Sequence, residues 1–220
     1  MEPSRTPSYE PPSPNGSLVL LRHGQTQWSL DGRHTGRTDL PLLPQGEEDA
    51  RALAPRLAGH RFGLVLVSPL QRARRTAELA GLVPDAVDPD LLEWDYGGYE
   101  GRTTHDIREE LGYMWTVFRD GVVPGADSPG ETVEEVAARA SRVLRRIGPV
   151  LQDQDVALVG HGHALRVLTA VFLREAPRFG ANLLLDAGSV CVLRHEREQP
   201  CIHEWNVPAT RGDVSTPAAS

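Results

Sequence analysis

The segment Leu18-Val19-Leu20-Leu21-Arg22-His23-Gly24-Gln25-Thr26 runs four apolar residues into an abrupt polar turn. An apolar run of that length, bounded by a turn signal, predicts a short buried strand. Gly24 closes it and frees the backbone to turn away. Arg22 and His23 then stand at the carboxyl end of a strand, where open α/β sheets bind their ligands. An arginine offers a rigid fork of donors that matches phosphate oxygens. A histidine is a nucleophile or base near neutral pH. Taken alone, Arg-His-Gly reads more simply as a strand leaving the core, so a site needs partners from elsewhere in the chain.

Two further apolar runs have the same form. Leu64 to Val67 ends at Ser68-Pro69, and Val156 to Val159 ends at Gly160-His161-Gly162-His163. Helical patterns lie between them. Gln45 to Leu57 puts Ala50, Leu53, Ala54 and Leu57 on one face, with Pro55 breaking the last turn. Gln71 to Leu79 carries Arg72 in its first turn, with Arg74 and Arg75 behind on a solvated face. Residues 104–118 are predicted helical, with Ile107, Leu111, Met114, Trp115 and Phe118 on one side. Residues 131–147 have the clearest helical period, and Thr132 with Glu135 has capping-box spacing. A helix follows His163 to about Leu173. Weaker strands are expected at Val83 to Val87, Val190 to Leu193 and Ile202 to Trp205. Leu30 to Pro44, Leu91 to Gly101 and Asp120 to Gly130 read as loops.

Strands alternating with helices predict an α/β fold, a three-layer sandwich with a mostly parallel central sheet and helices on both faces. If the strands are parallel neighbours, Arg22-His23, the Ser68 to Arg72 turn and His161 converge at one edge.

With 220 residues, 40% hydrophobic and 24% charged, the chain reads as one domain with a sizeable core. Residues 1–16, with prolines at 3, 7, 11, 12 and 14, read as a disordered tail. Residues 207–220 read as a flexible polar tail, leaving 17–206 as the folded domain. A net charge of −7 argues against nucleic acid or an anionic membrane as partner. No apolar run approaches a membrane span, and the N-terminus has no signal-peptide pattern. Two cysteines, Cys191 and Cys201, make no disulfide framework, so a cytoplasmic location is expected. A homodimer is one candidate assembly. An anionic small-molecule substrate would need a local pocket of Arg and His inside an acidic protein.

Arg22-His23-Gly24-Gln25-Thr26, with Thr35-Gly36 beyond it, resembles the signature of the histidine phosphatase superfamily, the phosphoglycerate-mutase-like group. Three more segments follow in that family's order. Ser68-Pro69-Leu70-Gln71-Arg72-Ala73 resembles its second phosphate-binding segment. Leu92-Glu93 with Tyr96-Gly97 resembles the segment of its proton donor, and Gly160-His161-Gly162-His163 its second histidine motif. The resemblance implies a phosphoglycerate-mutase-like fold with His23 as the phosphorylated nucleophile. It implies Arg22, Arg72 and His161 as phosphate ligands, Glu93 as acid/base, and no requirement for a metal or other cofactor. Gln25 sits beside the nucleophile, and Thr35 and Gly36 match positions near the substrate, with Ser29 in the same stretch. His163 either touches substrate or is a solvated helix start. Tyr96 and Tyr99 either line the pocket or pack. His105, His195 and His203 join no site.

The chemistry of these residues agrees with the resemblance. Two arginines would hold two faces of a phosphoryl group, and a protonated His161 would add a third donor. His23 would donate one ring N–H to a backbone carbonyl and attack phosphorus through its other nitrogen. The arginines would stabilise the equatorial oxygens. Glu93, between Leu92 and Trp94, would protonate the leaving oxygen and then activate the water that hydrolyses the phosphohistidine.

Departures from the mutase pattern select the reaction. Ser29 stands where mutases usually have Asn, and Glu93 to Glu131 is short beside a mutase lid and holds no lysine. A mutase must keep its phosphohistidine dry. The segment Glu93 to Gly101 looks most like the branch of broad acid phosphatases and the sedoheptulose bisphosphatase. The expected activity is therefore hydrolysis of a sugar phosphate or small organic phosphate, with a lid at about 97–130 setting the choice. Cofactor-dependent phosphoglycerate mutase is the alternative. A zinc hydrolase built on His23, His161 and His163 is disfavoured by two adjacent arginines and by the lack of suitably spaced carboxylates. A non-catalytic phosphate-binding regulator is disfavoured because His23 and Glu93 are both present.

Overall fold

The run at Leu18 folds as strand β1 (Leu18–Arg22), the first of six in a single sheet. The computed structural model describes residues 14–209. The remaining strands are β2 (Phe62–Val67), β3 (Ala86–Val87), β4 (Asp155–Gly160), β5 (Ser189–Glu196) and β6 (Gln199–Pro208). Their order is β3-β2-β4-β1-β5-β6. The four strands from β3 to β1 are mutually parallel. β5 runs antiparallel to β1, and β6 antiparallel to β5.

The inner stretches of the central strands, Leu18 to Leu21, Leu64 to Val67 and Val156 to Val159, are continuously apolar because both faces are covered. Leu18 and Leu20 point to one face, where α7 (Val133–Leu151) and α8 (Gly162–Phe172) supply Val143, Ile147 and Leu165. Val19 and Leu21 point to the other, where α2 (Pro44–Ala52), α3 (Ala54–Leu57) and α4 (Gln71–Leu79) bring Ala50, Leu57, Ala73 and Ala77. The result is the expected three-layer sandwich. Burying each such Leu or Val contributes roughly 1.5–3 kcal/mol. A third apolar cluster lies under the segment joining β3 to α7 and contains Trp94, Tyr96, Tyr99, Trp115 and Phe118. Among the described residues no helix is long and apolar enough to cross a membrane.

Several local expectations shift, each for a physical reason. The helix over 45–57 is two pieces, α2 and α3, with Pro55 in the first turn of the second. The loop from Leu30 is preceded by a short helix, α1 (Gln27–Leu30), capped by Thr26 and Ser29. The helix over 104–118 ends early. It splits into α5 (Thr104–Leu111) and α6 (Val117–Asp120), because Gly112 takes a left-handed C-cap at φ 71. Met114 accordingly leaves the apolar face and is exposed. The expected strand over 83–87 keeps only its last two residues, since Pro84 has no N–H and the Asp85 carboxylate takes the Val65 N–H. A 3-10 stretch at Pro177–Asn182 had no sequence signal.

The domain edges also move. Asn15 and Gly16 donate to Gln152 and Leu151 carbonyls at the end of α7, so the inner end of the expected tail packs on the domain. β6 continues past residue 206 to Pro208. The rest of both expected tails lies outside the described residues.

The sheet register positions the site. Arg22 pairs with Gly160, and Val67 with Val159. His23 N–H donates to the Gly160 carbonyl and Ser68 N–H to the Val159 carbonyl. The ends of β1, β4 and β2 therefore lie side by side, about 5 Å apart per strand, and carry His23, His161 and Ser68. Gly24 is needed for proximity rather than for a special turn. A Cβ there would fall 2.2 Å from the Gly46 carbonyl oxygen in α2. Gly24→Ala is expected to cost about 2 kcal/mol and lower the melting temperature by about 4–8 °C. A wild-type melting curve for this variant would show that the backbone contact is not limiting.

Candidate active site

The three strand ends converge as expected, and hydrogen bonds fix the state of each histidine. His23 is 4% exposed, and its Nδ1 lies 2.8 Å from the Gly24 carbonyl. A carbonyl only accepts, so Nδ1 carries the proton and Nε2 keeps its lone pair. Burial, and then the charges of Arg72 and Arg22, hold His23 well below the ordinary histidine range. The ring is neutral and nucleophilic at neutral pH.

His161 is not the protonated donor that the motif suggested. Arg72 donates Nε–H to its Nδ1 at 3.2 Å, which leaves the proton on Nε2, directed at Ser68 Oγ at 2.7 Å. Burial, Arg72 and His23 keep its titration well below the usual range. His161 sits in T-shaped contact with His23, with ring centroids 5.1 Å apart. With both nitrogens engaged it has none for a metal. Among the described residues no group of three or more His, Cys, Asp or Glu is arranged to hold one.

The two arginines differ. Arg72 is fully buried and donates to the carbonyls of Thr35, Gly36 and Thr38. It does not line the cavity. Arg22 lines it, with one Nη donating to the Leu185 carbonyl. Its Nε is the one buried side-chain polar atom among the described residues with no partner. An unpaired buried donor is costly and asks for an acceptor. Gly162 makes room for this guanidinium, since a Cβ there would lie 3.2 Å from Arg22 Cζ.

Glu93 lines the same cavity. Its Oε1 accepts from Trp94 and Ala164 N–H groups at 2.8 Å each, and its Oε2 from His163 N–H at 3.0 Å. The first turn of α8 has no cap from its own His161, so a carboxylate from a distant loop satisfies those N–H groups.

The cavity has a volume of about 230 Å³, and Ser29, Thr35, Tyr96 and His163 line it with Arg22, His23 and Glu93. Ser29 Oγ is spent on the Thr26 backbone. Tyr96 is held well above the ordinary tyrosine range by burial and Glu93, so its O–H donates to His163 Nδ1 at 2.5 Å. Tyr96 both lines the cavity and packs in the aromatic cluster. Gln25 and Gly36 are not on the lining. The Gln25 backbone lies against Gly46, and Gly36 presents its carbonyl to Arg72 and its N–H to Glu100, so both act one layer back.

Several cavity residues escaped the sequence reading, His34, Arg166 and Thr104 among them. His34 is 8% exposed, packed at 4.7 Å from the Tyr96 ring and 5.5 Å from Trp115. Arg166 lies three residues after His163 on one helix face and rests over the Phe118 ring at 4.7 Å. Thr104 reaches in from the start of α5. Helical spacing was a usable signal for Arg166. None existed for His34, which lies between Arg33 and Thr35 in a segment without periodicity.

Burial lowers the His34 pKa to about 4 from an ordinary 6.5. The folded value is the lower one, so between pH 6.5 and about 4 the unfolded chain binds the extra proton and stability falls as pH falls. His34→Gln is expected to make the dependence of unfolding free energy on pH shallower in that window by up to about 1.4 kcal/mol per pH unit. Denaturant titrations at several pH values measure it. Parallel profiles for the two proteins would mean that His34 is not held neutral.

Known proteins resemble the chain over nearly all of these elements. An acid phosphatase of Mycobacterium tuberculosis is 35% identical over 189 residues, 83% of this chain and 88% of that protein. The sedoheptulose 1,7-bisphosphatase of Saccharomyces cerevisiae is 34% identical over 191 residues, 73% of this chain and 69% of its own. Relatives named as phosphoglycerate mutases match as well. The solved structure of an open reading frame from Mycobacterium tuberculosis superposes with a TM-score of 0.83 at 32% identity, covering 89% of this chain and 100% of that one. Residues 18–208 match the sequence profile of the histidine phosphatase superfamily (branch 1), and the chain belongs to that superfamily.

Proposed function

We propose that this protein hydrolyses small phosphomonoesters, sugar phosphates among them, through a phosphohistidine on His23. The observation that carries the reading is the Arg22 guanidinium, on the lining of the same cavity as a neutral His23 whose Nε2 lone pair is free. One phosphoryl group satisfies both. Its oxygens accept from Arg22 and its phosphorus meets the nucleophile. Arg72, one layer behind, supplies positive charge that keeps His23 unprotonated.

In the first half-reaction Nε2 of His23 bonds to phosphorus as the ester P–O bond breaks. The leaving oxygen takes a proton from Glu93. A carboxyl group has about four lone-pair sites. Both on Oε1 and one on Oε2 are taken by backbone N–H groups. The proton therefore belongs on the remaining site of Oε2. In the second half-reaction the Glu93 carboxylate takes a proton from water, the oxygen attacks phosphorus, and the P–N bond breaks to return neutral His23 and phosphate. The cavity volume of about 230 Å³ suits a compact leaving group. The work takes place in the cytoplasm in this reading, in keeping with two free cysteines, Cys191 and Cys201. A homodimer is its candidate assembly.

Phosphate release from a panel of phosphomonoesters with chelator present, run beside a mutase assay with bisphosphate primer, tests the reading. Release from sugar phosphates without matching mutase turnover is expected. Dominant mutase turnover would overturn it. His23→Ala is expected to lower turnover at least about a thousandfold while the melting curve stays near wild type. Glu93→Gln is expected to lower kcat/KM, which reports the first half-reaction, by about 10²–10⁴-fold for alkyl phosphates and far less for aryl phosphates, because an aryl oxide leaves without a proton. Equal slowing of both would remove Glu93 from the acid role.

A further inference from the structure

Glu93 lies in a segment, 92–96, without regular secondary structure, so its aim must be set by something other than a helix or strand ladder. The neighbours of Glu93 on both sides converge on one ion pair. Arg139, in the middle of α7 and 6% exposed, donates to the Leu92 carbonyl at 2.6 Å and to the Asp90 carbonyl at 2.9 Å. The rest of its fork grips Glu131, with Nε at 2.9 Å from Oε1 and Nη2 at 3.2 Å from Oε2. Glu131 in turn holds the far side. Its Oε2 accepts from Asp95 N–H at 2.9 Å, and its backbone carbonyl accepts from Trp94 Nε1 at 2.7 Å. The residues one before, one after and two after Glu93 are thus all tied to Arg139 and Glu131.

We propose that Arg139, through its bidentate pair with Glu131, is a positioning residue that fixes the direction of the Glu93 carboxyl group in the cavity. The inference rests on the acid/base role read for Glu93 above. A fork is required because one side chain must meet two carbonyls and a carboxylate at once, which an ammonium group cannot do in a plane. The ion pair also satisfies buried backbone groups that would otherwise be unpaired. A merely structural clamp would stop there. A positioning clamp has a further signature, because it acts on catalysis only through Glu93.

Arg139→Lys keeps the charge and removes the fork. It is expected to lower kcat/KM for a sugar phosphate by about 10–100-fold, the usual effect of removing an orienting partner. The kcat/KM for an aryl phosphate is expected to change less than about threefold, since it reports formation of the phosphohistidine and that leaving group needs little protonation. In a Glu93→Gln background the same change is expected to add no further loss on the sugar phosphate, because the group it aims is gone. Equal loss on both substrates, or a loss that multiplies with Glu93→Gln, would overturn the proposal in favour of a structural clamp. Glu131→Gln retains an acceptor for Asp95 and weakens the pair, so it is expected to give the same substrate split at smaller amplitude. It serves as the test if Arg139→Lys does not fold. The two readings fail separately. Glu93→Gln without a substrate split would sink the acid role and this inference with it. Glu93→Gln with the split and Arg139→Lys without it would sink the positioning alone.

Discussion

A cation with no access to water has to be surrounded by acceptors before anything beside it can be arranged. Arg72 is that cation. Its acceptors are three carbonyls of the loop after β1 and one nitrogen of His161, none of them a carboxylate. Much of the site follows from this. The loop must turn the carbonyls of Thr35, Gly36 and Thr38 inward, which sends the N–H groups of Gly36 and Thr38 to Glu100. His161 must offer a lone pair at Nδ1, which commits its proton to Ser68. Beside His23 its charge then adds to burial in opposing protonation of the nucleophile. One buried guanidinium orders a loop, selects a tautomer and reinforces a charge state.

Glu93 is constrained from the opposite direction. The first N–H groups of α8 need acceptors, and the residue that begins the helix is a histidine whose side chain is committed elsewhere. A carboxylate brought across from the β3–α7 connection fills that gap. The helix that presents His161 and the loop that presents Glu93 are therefore locked by the same bonds. Catalytic geometry and helix capping are one interaction here. The aromatic cluster of Trp94, Tyr96, Trp115 and Phe118 keeps water from competing for it.

Much of this was legible because the strands of a sheet covered on both faces are continuous apolar runs, and a polar residue at the end of such a run is conspicuous. Leu18 to Leu21, Leu64 to Val67 and Val156 to Val159 announce themselves, and the residues that follow them are the ones that meet. The helix at Gln71–Leu79 agrees with its apolar period. Legibility fades where structure comes from bonds rather than periodicity. The split at Gly112 depends on one left-handed residue. The neutral state of His161 depends on which atom of Arg72 faces it, and no spacing encodes that. His34 enters the cavity because a two-residue bridge, Arg33 with Thr103, lays its segment against the start of α5. Gln25 and Gly36 sit in the signature but serve it from behind, through backbone contacts that a motif does not distinguish from substrate contacts.

The charge distribution in the cavity bears on the choice between hydrolysis and phosphoryl exchange. A mutase that works with a bisphosphate needs anion-binding groups at two ends. Here one end carries the Arg22 guanidinium. Elsewhere on the lining, burial keeps both His34 and His163 uncharged and Tyr96 protonated at physiological pH. Arg166, half-buried on the same lining, donates Nε–H to the Gly180 carbonyl and Nη2 to the Ala181 carbonyl and rests its face on Phe118. Arg33 is half exposed and already beside Asp31, so its pull on a second phosphate is largely screened by water. These three neutral hydrogen-bonding side chains suit hydroxyl groups, which exchange hydrogen bonds with them without bringing a second charge out of water. The cavity thus matches one phosphate with a short hydroxylated tail better than it matches a bisphosphate. This asymmetry, rather than the length of the lid alone, is the physical ground for reading the site as hydrolytic.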